Sequence, residues 1–98
     1  MPISDRHFTS SELRERDIVR RAIGTVVRRL RRAAGLSQIE VAGRANMSER
    51  ELRRIEKGVG GTPLDRLWAL ARALDSTPAD IVLEAQQIAE RDTHGNGE

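Results

Sequence analysis

The sequence predicts an all-α domain on three observations: apolar residues recur at helical rather than alternating spacing, aromatics are limited to Phe8 and Trp68, and Ser/Thr-x-x-Glu caps precede successive apolar runs. Five helices follow from those signals. The first opens at the capping box Thr9-Ser10-Ser11-Glu12 and carries Leu13, Ile18, Val19, Ala22, Ile23, Val26, Val27, Leu30 and Ala34 to a stop at Gly35. One long rod and two pieces both satisfy that pattern. The second helix begins at the box Ser37-Gln38-Ile39-Glu40 and ends near Arg44; the third begins at the box Ser48-Glu49-Arg50-Glu51 and stops at Gly58. After the flexible loop Gly58-Val59-Gly60-Gly61, Thr62 as cap and Pro63 as first helical residue start the fourth, which ends near Leu74. Thr77 and Pro78 repeat that arrangement for the fifth, expected to run to about Glu90. The domain is therefore expected over residues 9–90, with a flexible arm at 1–8 and a polar, Gly-rich, disordered tail at 91–98.

Composition excludes several functions. A chain of 98 residues supplies one hydrophobic core and little more. There is no Cys, and the two His, His7 and His94, sit near opposite ends, so neither a disulfide scaffold nor a thiolate zinc site is expected, and no metal or cofactor. No P-loop and no nucleophile beside a base appear, which argues against an enzyme. No apolar run approaches the roughly 20 residues that span a bilayer, and residues 1–9 lack the apolar stretch of a signal peptide, so a cytoplasmic protein with no membrane partner is expected. The formal charge of +2 hides an asymmetry: residues 1–36 carry nine Arg against four acids, residues 37–66 six basic against five acidic, and residues 67–98 two against six. GC-rich coding explains a preference for Arg over Lys. It does not explain a cationic end and an anionic one, which suit a protein with one face turned to a polyphosphate.

The second and third helices, separated by a three-residue turn, have the small apolar inner faces of a helix-turn-helix spanning Gln38 to Lys57. Val41, Ala42 and Ala45 supply one face, Met47 plugs the turn, and Leu52 and Ile55 supply the other. Ala42 is the critical position, because a larger side chain would push the helices apart. The turn needs a residue tolerant of positive φ, which Asn46 provides.

These residues resemble the phage repressor and Cro family of DNA-binding domains, often called XRE-like. The resemblance covers roughly Ile23 to Leu83 and rests on Ile23-Gly24, Leu30-Arg31, Gly35-Leu36-Ser37-Gln38, Val41-Ala42, the turn around Asn46, Ile55-Glu56-Lys57-Gly58, and Leu67 through Ala73-Leu74 followed by a fifth helix. It departs in having Asn46 where the family usually has Gly, and in extra helical sequence at both ends. The implied fold is a five-helix, lambda-repressor-like domain with extended first and last helices. The implied function is sequence-specific binding of double-stranded DNA by a transcriptional regulator that represses through operator occupancy.

Residue roles follow from that resemblance and from side-chain chemistry. Gln38 begins the second helix, where open amides and the helix dipole favour a phosphate, and its amide looks like the family's backbone clamp. On the outer face of the third helix, Arg50 and Arg54 resemble the base readers, Arg pairing with guanine O6 and N7, while Glu49 either accepts from cytosine or orients a neighbour. Arg53, Lys57, Thr62 and Arg66 are expected on phosphates, Arg66 beside the open amides that start the fourth helix. The alternative for the third helix is a solvated face with Glu49 and Arg53 paired one turn apart. In the resembling family the positions of Arg31 and Glu56 form an ion pair, expected here to be structural. Trp68, with Leu67, Leu70, Ala71 and Leu74, is expected to pack into the core.

Two matters stay open at this level. An antitoxin-like or adaptor module whose main business is a protein partner fits the same helices, with DNA secondary. The apolar residues of the extensions, Val19, Ala22 and Val26 near one end and Ile81, Val82, Ala85, Ile88 and Ala89 near the other, either build a twofold homodimer reading a palindromic operator or pack on each other within one chain.

Overall fold

A computed structural model describes residues 8–97 of the chain, so all but the last residue of the arm expected at 1–8 lies outside the described residues. Five helices appear among them: α1 (Ser10–Ala33), α2 (Gln38–Arg44), α3 (Glu49–Lys57), α4 (Leu64–Ala73) and α5 (Pro78–Gly97). α1 is a single unbroken rod. Its capping box is reciprocal, Glu12 N donating to Thr9 Oγ1 at 3.1 Å and Thr9 N to Glu12 Oε1 at 2.9 Å. Ser37 and Glu40 do the same for α2, at 3.1 and 2.8 Å.

Three local expectations need correction. The third cap is only half a box: Ser48 Oγ accepts from Glu51 N at 3.0 Å, but the Glu51 carboxylate turns to Arg66, 3.1 Å away. A tertiary cation outcompetes the local backbone amide. At α4, Thr62 gives no cap; Pro63 itself takes the N-cap position with ψ of 150°, outside the helical range, and the helix starts at Leu64. At the other end α5 continues to Gly97 instead of stopping near Glu90. Extending a formed helix adds one hydrogen bond per residue fixed, without a new nucleation cost, which offsets the weak propensity of the final residues.

Two contiguous clusters make the core. Val27, Val41, Ala42, Ala45, Leu52, Ile55, Leu70 and Leu74 join α1 to α2, α3 and α4, while Ala22, Val26, Leu67, Ala71, Ile81 and Ala85 join α1 to α4 and α5. Ile23 and Leu30 touch both. The extended ends of the first and last helices therefore pack on each other within the chain, where Arg29 Nε also donates to Glu84 at 2.7 Å. Val26 is wholly buried in that contact and is not available to a partner.

Trp68 is not a core residue: it is 58% exposed, as is its neighbour one turn back, Leu64, at 65%. Successive helical residues are about 100° apart, and the buried stripe of α4 runs from Leu67 toward Leu70 and Ala73, away from the side that Trp68 takes.

Candidate nucleic-acid interface

The geometry of the site starts at the turn between α2 and α3. Asn46 adopts φ of 56°, in the left-handed region, and Met47 N donates to Ala42 O at 2.9 Å, closing the turn over a nearly fully buried Ala42. Arg66 braces it from α4, its Nη1 donating to Asn46 O at 3.2 Å while its Nε faces Glu51. With Leu52 and Ile55 turned into the core, the opposite face of α3 is left outward. That face carries Arg50, Arg53, Arg54 and Lys57, all exposed.

A second anchor fixes α3 against α1. At Gly24 the two backbones touch: a Cβ there would collide with Ile55 O and lie 2.6 Å from Glu56 O. Beside that crossing, Glu56 is buried and bound by Arg31 twice, Nε to Oε2 at 2.7 Å and Nη2 to Oε1 at 3.1 Å. Arg31 Nη1 donates to Leu36 O at 3.0 Å, fixing the start of α2 as well. The side-chain hydrogen bonds to Glu56 raise the Arg31 guanidinium above its ordinary value; burial opposes them, and the charge of Glu56 adds a smaller upward effect. The ion pair inferred from Arg31 and Glu56 is present, with Arg28 Nε adding a second cation at 3.7 Å.

Gln38 is drawn into the same network. Its Nε2 donates to Glu56 Oε1 at 3.1 Å, so the amide proposed as a phosphate clamp also ties α2 to α3. Of the first-turn amides of α2, those of Glu40 and Val41 go to Ser37, through Oγ and O. The amides of Gln38 and Ile39 have no acceptor within the helix and face its open end.

On the outer face, Glu49 and Arg53 pair one turn apart, Oε2 to Nη2 at 2.9 Å. Glu51 is held by Arg66 and Glu56 by Arg31, so every carboxylate of α3 is engaged. Arg50 and Lys57 make no hydrogen bond or ion pair among the described residues, and Arg54 makes only a long bond to Val59 O at 3.4 Å. Arg66, expected on a phosphate, holds Glu51 through Nε and Asn46 O through Nη1. Thr62 lies in the α3–α4 connection, half-buried beside Gly61.

Sequence reasoning missed Arg28 and Arg32. Both line a concavity of about 500 Å³ with Arg31, Ser37, Gln38, Ile39, Glu49 and Glu56, where the last turn of α1 meets the starts of α2 and α3. The signal was present in the run Arg28-Arg29-Leu30-Arg31-Arg32, where Arg28 lies one turn from both Arg31 and Arg32, at i+3 and i+4, and so brings the three to one side of α1.

A helix-turn-helix family model matches residues 27–81, more than half of the chain. An uncharacterized HTH-type transcriptional regulator, y4dJ of Sinorhizobium fredii, is 34% identical over 64 residues, which cover 65% of this chain and 83% of that protein. Among solved structures, the clp gene regulator ClgR from Corynebacterium glutamicum matches with a TM-score of 0.72 at 25% identity, over 80% of this chain and 84% of its own. The restriction-modification controller protein C.AhdI from Aeromonas hydrophila matches with a TM-score of 0.62 at 31% identity, over 63% of this chain and 94% of its own.

Proposed function

The chain belongs to the helix-turn-helix family of transcriptional regulators, and on that premise we propose that it is a cytoplasmic repressor that occupies a palindromic DNA operator as a homodimer. α3 enters the major groove, with Arg50 and Arg54 reading guanine edges. Glu49, tethered to Arg53, orients that arginine toward a phosphate. The open amides at Gln38 and Ile39 take a phosphate on one wall of the groove, and Lys57 and Thr62 face the other. Arg66 contributes indirectly, by bracing the turn to α4. Repression follows from occupancy alone, since a protein seated in the groove blocks that stretch of duplex.

One observation carries this reading: α3 engages all its acids internally while Arg50 stands exposed and unpaired among the described residues. Such a face is electrostatically incomplete until a polyanion meets it. The homodimer is supported by exposed apolar side chains outside that face, Leu64 and Trp68 one turn apart on α4 and Val82 and Leu83 on α5. A twofold arrangement sets two copies of α3 roughly 34 Å apart, one DNA turn.

Selection of bound sequences from a random duplex pool tests the proposal. Enrichment of an inverted repeat with G·C pairs in each half-site is the expected result. A pool that emerges unenriched refutes sequence-specific binding; enrichment of a single half-site refutes the dimer.

A further inference from the structure

α1 begins well before the matched region, and its N-terminal half lies beside the C-terminal end of α3. Gly58 marks the contact: a Cβ there would lie 2.8 Å from Arg21 Cα and 2.7 Å from Arg21 Cγ, so only glycine lets the chain leave α3 along the backbone of α1. The connection that follows, Gly58-Val59-Gly60-Gly61, carries no charge of its own. Charge is delivered to it from outside. The Arg20 guanidinium lies alongside Gly61, Nη2 and Nε 3.5 and 3.6 Å from where its Cβ would stand, and Arg54 Nη2 lies 3.4 Å from the corresponding point at Gly60.

Beside this connection is a concavity of about 360 Å³ lined by Arg16, Asp17, Arg20, Arg21, Lys57 and the backbone at Gly58 and Val59. Its one acid, Asp17, is paired with Arg16 at 3.5 Å. Arg20, Arg21 and Lys57 make no hydrogen bond or ion pair among the described residues. Nor are they needed to satisfy the end of α3, because Gly58 N and Val59 N already donate to Ile55 O and Arg54 O at 3.0 Å each. Three uncompensated cations held together at one end of the proposed reading helix repel one another unless an anion is shared among them.

We infer that Arg20 and Arg21 of α1, with Lys57 of α3, form a phosphodiester-binding site for the DNA strand flanking the C-terminal end of α3. This deepens the proposed function and rests on it. A helix seated in a groove about 12 Å wide has a sugar-phosphate wall on each side. The start of α2 faces one wall; the α1 extension serves the other, supplying cations to a connection built of glycines. The site holds backbone and reads no base, so it strengthens binding to every duplex equally.

The test is a triple variant, Arg20→Gln, Arg21→Gln and Lys57→Gln, titrated across a salt series with the selected operator duplex and with a random duplex. Each phosphate contact contributes about 0.9 to the slope of log affinity against log salt, so the slope should fall by about 2 to 3, with a roughly 10- to 100-fold loss at low salt, equal on both duplexes. A companion variant, Arg20→Lys with Arg21→Lys, keeps the charge and should keep the slope, which separates an electrostatic role from loss of packing. An unchanged slope in the triple variant overturns the inference while leaving the regulator reading intact if Arg50→Ala still loses the operator selectively. A loss confined to the operator overturns it as well, by making the cluster a base reader. Failure of the parent chain to bind either duplex overturns both readings.

Discussion

Substituting Glu56 tests the center of the fold. Glu56→Ala removes a carboxylate whose side chain is wholly buried and which accepts from Arg31 twice and from Gln38 once. Arg28 is 43% exposed and regains water readily, so its loss counts for little. Arg31, only 12% exposed, is left as a buried cation with a single remaining acceptor, Leu36 O. Breaking a buried pair in this way costs about 3 to 5 kcal/mol, and the surviving carbonyl puts this case near 3. At roughly 4 to 8 °C per kcal/mol for a domain of this size, the melting temperature should fall by about 12 to 24 °C. Thermal and urea melts followed by circular dichroism give the measurement. Two companions sharpen it: Glu56→Gln keeps an acceptor without the charge and should lose less, and Arg31→Met combined with Glu56→Met should recover much of the loss, since paired apolar replacement removes the desolvation cost from both sides. If Glu56→Ala melts with the parent, the pair is not structural, and a simultaneous loss of DNA binding would move it into the interface.

Arg50→Ala and Arg54→Ala should each cost about 1 to 3 kcal/mol on the selected operator and much less on random duplex; equal losses on both would mean that they touch phosphate only. Gln38→Ala should weaken binding to all duplexes and also lower the melting temperature, because its amide reaches Glu56; a binding loss with no change in melting would show that the bond to Glu56 carries no weight. Glu40 is held below its ordinary carboxylate value, chiefly by the Ser37 backbone amide and then by the Ser37 side chain. Its contribution is therefore present above the unfolded value and lost as pH falls through the folded one, so Glu40→Gln should lower stability slightly in the neutral range, converge on the parent in acid, and so flatten the acid limb of stability against pH. An acid limb identical to the parent's counts against that. Leu64→Glu with Trp68→Glu, both at exposed positions, should convert a dimer to monomer by sedimentation at micromolar concentration without lowering the melting temperature; a parent that is monomeric with and without duplex refutes the homodimer.

The elements were legible wherever a local rule had no tertiary competitor. Thr9 and Ser37 announced their caps through residues three positions on, and Asn46 marked the turn because few side chains accept positive φ. Glu51 had the same local credentials and was misread, since Arg66, fifteen positions away, claims its carboxylate. Trp68 was misread because apolar character says that a side chain prefers burial, not that a partner stands on its side of the helix. In the candidate site, Arg31 and Glu56 were found through a resemblance, and the outer face of α3 through periodicity. The approach of Arg20 and Arg21 to the loop depends on how two helices cross, which no single helix's pattern contains.

The touching backbones at Gly24 bear on how such a protein changes over generations. α3 is seated through main-chain atoms at Ile55 and Glu56, through the inward side chains Leu52 and Ile55, and through the carboxylates of Glu56 and Glu51; of its outward arginines, Arg50 makes no such contact and Arg54 only a long bond to Val59 O. Drift at positions 50 and 54 is therefore almost free of structural consequence, whereas position 24 admits no side chain. A lineage built on this chassis can explore new operators by exchanging outward arginines while its architecture stays fixed, and duplicated copies can diverge in target before they diverge in shape.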